Sequence, residues 1–237
     1  MGELKAVFFD VRGTLFDSKG CARHVMDLVL NMFADRLPTD DTEEIFRRYN
    51  AVLLDQVSSA FLRRMESFSR LKRFSALLES FGLNKPSLAR EINSKYDATR
   101  RLMMRQFLRP DALAVLDALA EQGLKRGVIV NGTLALQRTL LSGLGLHEHL
   151  DHVVMADAEG YHKPDPRLFR KALQEAAVQA SEMLYVGDSP ITDLLGAARA
   201  GIPVVWFNER NSPAPRGLPA PDFAIESLAE LLSIVDM

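Results

Sequence analysis

Apolar residues along this chain change their spacing twice. The first run, Lys5-Ala6-Val7-Phe8-Phe9-Asp10, is continuous and does not alternate. Such a run marks a strand buried on both faces, as in a parallel sheet. It ends in Asp10 and passes at once into Gly13-Thr14, so a loop follows. From residue 19 to 107 the strand signal disappears and apolar positions recur by threes and fours. Phe68, Leu71, Phe74, Leu77, Leu78 and Phe81 fall on one helical face that closes at Gly82, a fitting C-terminal cap. Asp40 or Asp41, followed by Thr42-Glu43-Glu44, opens another helix. Pro86 fits the first turn of a further one. About four helices are expected here, as an inserted bundle with its own core.

After Pro110 the pattern becomes an alternation of strands and helices. A helix is expected at 111–121, ending near Gly123, with strands at Arg126–Val130, Val153–Met155, Met183–Val186 and Val204–Phe207. Pro203 is compatible with the last of these because it stands at the strand's start. Alternating strands and helices imply a parallel sheet with right-handed crossovers. The expected fold is therefore α/β, with a core domain of residues 1–17 and 108–237 and a helical domain of residues 18–107. Prolines 213, 215, 219 and 221 mark Asn211–Pro221 as an irregular surface loop.

Composition narrows the class. A length of 237 residues suits one large domain, or a core with a smaller insert. Apolar content of 47% and charged content of 25% are ordinary for a globular protein. The net charge of -2 provides no global field towards nucleic acid. Cys21 is the single cysteine, so neither an intrachain disulfide nor a cysteine zinc cluster can form, which fits a reducing compartment. Met1-Gly2-Glu3-Leu4-Lys5-Ala6 lacks the apolar core of a signal peptide, and Ala6 stands where myristoylation wants Ser or Thr. No apolar run approaches the roughly 20 residues of a spanning helix. A cytoplasmic protein without a membrane partner is expected.

Two local features have mainly bland readings. From Phe61 to Arg109 there are 12 Lys or Arg against 4 Asp or Glu, a local charge of +8. These are solvated helix faces, or a surface that attracts phosphorylated substrates or an acidic partner. Nucleic acid is not expected, since aromatic interleaving and known binding motifs are lacking. His24, His147, His149, His152 and His162 do not form a zinc pattern, and the middle three are expected in a loop.

The chemistry gathers where the strands end. Ligands of open parallel sheets bind beyond the carboxyl ends of the strands. Asp10 follows the first strand and Asn131-Gly132 the second. His162-Lys163-Pro164-Asp165 follows the third, and Gly187-Asp188 with Asp193 the fourth. Two carboxylates and a backbone carbonyl suit Mg²⁺, a hard cation that prefers oxygen ligands. A carboxylate is also a nucleophile able to form an aspartyl-phosphate. A lysine beside it neutralises both it and a phosphoryl oxygen. Amides in the Gly13 and Gly132 turns can cradle an anion. Singly, each Asp reads equally as a helix cap and Lys-Pro as a solvated loop; the ordered set carries the argument.

That set resembles the haloacid dehalogenase (HAD) superfamily. Asp10-Val11-Arg12-Gly13-Thr14-Leu15 is similar to the first motif, usually Asp-x-Asp-Gly-Thr. Asn131-Gly132 is similar to the end of the second, Lys163 in Lys-Pro-Asp to the third, and Gly187-Asp188 with Asp193 to the fourth. The helical insert looks like the family's C1 cap, and the resemblance covers nearly the whole chain. It implies a Rossmann-like core and a lid that closes over the site. It implies Asp10 as nucleophile, with Asp10, Asp188 and the backbone carbonyl of Arg12 holding Mg²⁺ and Asp193 supporting the metal's water shell. Lys163 would orient Asp10 and the phosphate, and Gly13, Thr14, Asn131 and Gly132 would lie on the substrate side. Ser18 and Cys21 would belong to the hinge. The implied reaction is phosphomonoester hydrolysis of a small phosphorylated metabolite.

Two departures alter that expectation. Arg12 stands where the family's second aspartate protonates the leaving group and then deprotonates water. Such help is worth roughly 10² to 10⁴ in rate, and an arginine cannot exchange its proton near neutral pH. Val130 replaces the usual Thr or Ser and supplies no hydroxyl. An ordinary site of four aspartates and a lysine sums to -3; here Asp10, Asp188, Asp193, Lys163 and Arg12 sum to -1. Arg12 therefore either folds back on Asp10 and Asp188 and weakens metal binding, or faces the cleft and holds an anionic substrate. Three functions follow: a Mg²⁺-dependent phosphatase with an altered acid–base step, a protein of the same fold that binds a phosphorylated ligand or partner without turnover, and a haloacid dehalogenase. The family's dehalogenases also lack the second aspartate, but Gly187-Asp188-Ser189 is phosphatase-like.

Overall fold

Strand β1, Ala6–Phe9, is fully buried along its whole length. It lies at the middle of a six-stranded sheet, as its unbroken apolar run requires. A computed structural model of the chain describes residues 3–39, 41–57 and 70–236. The other strands are β2 (Lys125–Val130), β3 (His152–Met155), β4 (Met183–Gly187), β5 (Val204–Phe207) and β6 (Phe223–Ile225). Their order is β3-β2-β1-β4-β5-β6, and every pairing is parallel. The chain moves outward from β1 in one direction, then returns and moves out in the other, so a switch point lies beside β1. Register aligns Phe9 with Val128 on one side and Val186 on the other. The residues just beyond β1 and β4 therefore emerge side by side.

On one side of the sheet the core includes Phe8, Ile129, Leu168, Phe169, Tyr185, Leu194 and Trp206. Leu168 and Phe169 come from the helix Pro166–Ala176, and the helix Leu195–Ala200 adds Ala197. Gly127 pairs with Phe8, and a Cβ on it would lie 2.3 Å from the Phe8 ring. The glycine is thus the space the ring needs. His152, expected in a loop, is instead the first residue of β3, its ring stacked on Phe8 with centroids 5.9 Å apart. Strand β6 was also unexpected: only three residues long, it pairs with β5 after the proline-rich stretch, which is irregular as expected.

Two compact units divide the chain: Met1–Ser18 with Phe107–Met237, and Lys19–Gln106. The second holds four α-helices among the described residues: α1 (Ser18–Met32, beginning at the boundary), α2 (Thr42–Val57), α3 (Arg70–Ser80) and α4 (Pro86–Met103). Asp41 Oδ1 accepts from the amides of Glu43 and Glu44, both at 3.0 Å, which opens α2. Gly82 follows α3 at φ +75°, and Pro86 begins α4. Phe74 packs between Tyr49 and Tyr96, at 5.2 and 6.1 Å. Asp40, Phe68 and the basic residues Arg63 and Arg64 lie outside the described residues. No described helix is long and apolar enough to cross a membrane.

At the boundary the two chain crossings are joined. The Asp17 amide donates to the Phe107 carbonyl at 2.9 Å, and Phe16 pairs antiparallel with Leu108.

Candidate active site

Asp10 leaves β1 with its amide bonded to the Val186 carbonyl at 2.8 Å, which fixes its carboxylate at the sheet's carboxyl edge. Gly13 follows at φ +106°, in a turn closed by its amide on the Phe16 carbonyl at 2.8 Å. Beyond β4, Ser189 caps a π-helical turn, Pro190–Leu194, that carries Asp193 back under the strand end. A Cβ on Gly187 would lie 2.5 Å from the Asp193 Cβ, so only glycine permits that approach. Trp206 Nε1 donates to the Asp188 carbonyl at 3.2 Å and anchors the same loop.

Lys163 is held from both ends. Its amide donates to Asn131 Oδ1 at 2.7 Å, and Asn131 Nδ2 donates to its carbonyl at 3.2 Å. Its ammonium, 5% exposed with the rest of the residue, donates to Asp10 Oδ1 at 2.5 Å, Asp193 Oδ1 at 2.8 Å and the Tyr185 hydroxyl at 3.0 Å. Tyr185 in turn donates to Asp193 Oδ1 at 3.0 Å, and the Ser189 amide to Asp193 Oδ2 at 3.0 Å. Both Asp193 oxygens are therefore engaged within the protein. Asp10 Oδ2 is buried with no hydrogen-bond partner.

The electrostatics follow from that packing. Burial pushes the Asp10 carboxyl above the usual carboxylate range; Lys163 opposes the shift and Asp193 adds to it. Burial alone would lower the Lys163 ammonium, but Asp10 and Asp193 outweigh it and raise it well above its ordinary value. Lys163 is thus a permanent cation rather than a proton donor. Asp10, Asp188 and Asp193 each offer an oxygen within 4.8 Å of the others. An all-oxygen cluster with an uncompensated buried acceptor fits a hard divalent cation.

These groups border a cavity of about 230 Å³, lined in part by Asp10, Arg12, Asn131, Lys163, Asp188 and Asp193. Arg12 is exposed at this cavity and Val130 forms an apolar part of its wall. Gly13, Thr14 and Gly132 are not among its lining residues. Thr14 is fully buried, Gly13 underlies Asp188, and Gly132 turns the chain at φ +112°. Tyr185 and Gln137 were not anticipated. Gln137 is buried at the cavity, and its Nε2 donates to the Asn131 carbonyl at 2.6 Å. The readable signal was a polar tip inside an apolar run, since a buried Tyr hydroxyl seeks a partner.

A doubly wound parallel sheet with a carboxylate–lysine cluster at its switch point defines an α/β protein equipped to handle an anionic group and a divalent cation together. Comparison with known proteins places it more narrowly. A family model described as haloacid dehalogenase-like hydrolase matches residues 4–201, and the chain belongs to that family. It is 30% identical over 214 residues to a glyceraldehyde 3-phosphate phosphatase of Methanothermobacter thermautotrophicus, covering 90% of this chain and 89% of that one. It is 36% identical over 162 residues to a phosphoserine phosphatase of Thermus thermophilus, covering 68% and 63%. Among solved structures, the magnesium-bound HAD-hydrolase YfnB from Bacillus subtilis shares the fold, with a TM-score of 0.79 at 21% identity, covering 99% of this chain and 100% of that one.

Proposed function

We propose that the protein is a Mg²⁺-dependent phosphomonoesterase for a small phosphorylated metabolite, acting through an aspartyl-phosphate on Asp10. The observation that carries this is the buried Asp10 carboxylate, pinned through Oδ1 by Lys163 while Oδ2 takes no hydrogen bond. The phosphatase names of the two relatives support the substrate class. The helical unit, Lys19–Gln106, is read as the cap that selects the substrate.

Asp10 attacks phosphorus, a P–O bond to Asp10 forms, and the ester P–O bond breaks with its electron pair leaving on the alcohol oxygen. Asp10 and Asp188, with the Arg12 carbonyl, would hold Mg²⁺, which when bound neutralises phosphoryl charge. Lys163 holds Asp10 in place and offsets charge on the incoming group. Arg12 attracts the phosphate but passes no proton, so leaving groups that depart as weakly basic anions are favoured. Hydrolysis of the aspartyl-phosphate is then slow, since Arg12 stands where a carboxylate would draw the proton from water. The acidic cluster disfavours a haloacid reaction, because a departing halide wants donors rather than three carboxylates.

p-Nitrophenyl phosphate turnover with Mg²⁺ tests the proposal in wild type, Arg12→Asp and Asp10→Asn. Activity in wild type and none in Asp10→Asn supports a hydrolase. A silent wild type awakened by Arg12→Asp would show a fold retired to binding a phosphorylated ligand or partner.

A further inference from the structure

We propose that Tyr185 is a positioning residue for this reaction, its hydroxyl fixing the Lys163 ammonium between Asp10 and Asp193. The inference rests on the phosphoryl-transfer reading above. An ammonium has three N–H donors and no acceptor, whereas an ionised carboxylate only accepts. Lys163 spends its donors on Asp10, Asp193 and Tyr185. The Tyr185 oxygen must then accept from Lys163, and its own hydrogen can go only to Asp193, 3.0 Å away. The direction of every hydrogen bond in the cluster is thereby determined.

Tyr185 cannot drift from this role. It is fully buried in β4, and its ring meets Phe169 edge-on with centroids 5.0 Å apart. Without the hydroxyl, a buried ammonium would hold one N–H without an acceptor and Asp193 would lose a donor. Lys163 would then be free to turn its third hydrogen away from the Asp10–Asp193 pair. Alignment of Asp10 for attack should suffer more than substrate binding, because positional errors act chiefly on the transition state. The competing reading is a core tyrosine whose hydroxyl merely found partners.

Tyr185→Phe separates the two. The expected result is a roughly tenfold fall in kcat with KM within about twofold of wild type. In ¹⁵N-lysine spectra the Lys163 Nζ resonance, assigned by its loss in Lys163→Met, should shift or broaden. Unchanged kcat with only a lower melting temperature overturns the positioning role, as does an unmoved Lys163 resonance. If Tyr185→Phe does not fold, 3-fluorotyrosine at position 185 retains the bond with a more acidic hydroxyl; it should move the same resonance, and no movement again overturns the proposal. A wild type inactive on every phosphomonoester, with the resonance still shifting in the variant, sinks the reaction and the positioning role with it, while the contact itself stands.

Discussion

Asp188 fills the space that a side chain at position 13 would need: a Cβ on Gly13 falls 2.3 Å from Asp188 Oδ2. Gly13 also sits at φ +106°, where other residues are strained by about 1 to 3 kcal/mol. Gly13→Ala should therefore displace a candidate metal ligand without touching substrate. The expected outcome is a loss of Mg²⁺ affinity by titration calorimetry and a fall of at least about tenfold in kcat/KM.

Asp10 should be caught in the act. With Arg12 in the place of a carboxylate that would activate water, the phosphorylated enzyme should accumulate during turnover of an activated donor. Intact-protein mass spectrometry should then show one added phosphoryl group, mapped to Asp10 and absent in Asp10→Asn. A wild type without any adduct would count against slow breakdown.

Lys163 is the cation that makes the carboxylate cluster tolerable. Lys163→Met leaves Asp10 and Asp193 buried without it, and breaking a buried pair in this way costs about 3 to 5 kcal/mol. Denaturant unfolding should show this loss. Adding Asp193→Asn should restore part of it, since the two residues share one network.

Asp165 starts the helix Pro166–Ala176 by accepting from the Arg167 amide at 2.9 Å, and the Arg167 guanidinium pulls its pKa down to about 2. A carboxyl whose folded pKa lies below its unfolded value of about 3.9 stabilises the fold above that value. The contribution is lost as pH falls through about 2. Asp165→Ala should cost about 1 kcal/mol at neutral pH, as N-cap losses do. The gap from wild type should narrow between about pH 4 and about pH 2.

Strands β1, β4 and β5 were readable because burial on both faces leaves an unbroken apolar run. Strand β6 was not: Phe223-Ala224-Ile225 is too short for a pattern, and its place is set by pairing with β5. His152 reads as polar, yet its ring finds Phe8 across β2. Asp10, Lys163, Asp188 and Asp193 were legible because strand ends converge at one edge of the sheet. The use of Asn131 was not, since its side chain is spent on the Lys163 backbone and no residue spacing encodes that pairing. Tyr185 carried a signal, a polar oxygen inside an apolar run, but not the identity of its partners, which come from two other segments.

The bond from Asp17 to Phe107 closes a loop of the core before the helical unit begins. The sheet therefore sees the whole of Lys19–Gln106 as a single long excursion between adjacent points. Such an insertion is exchangeable in principle: a short turn between Ser18 and Phe107 would preserve the chain's course through the core.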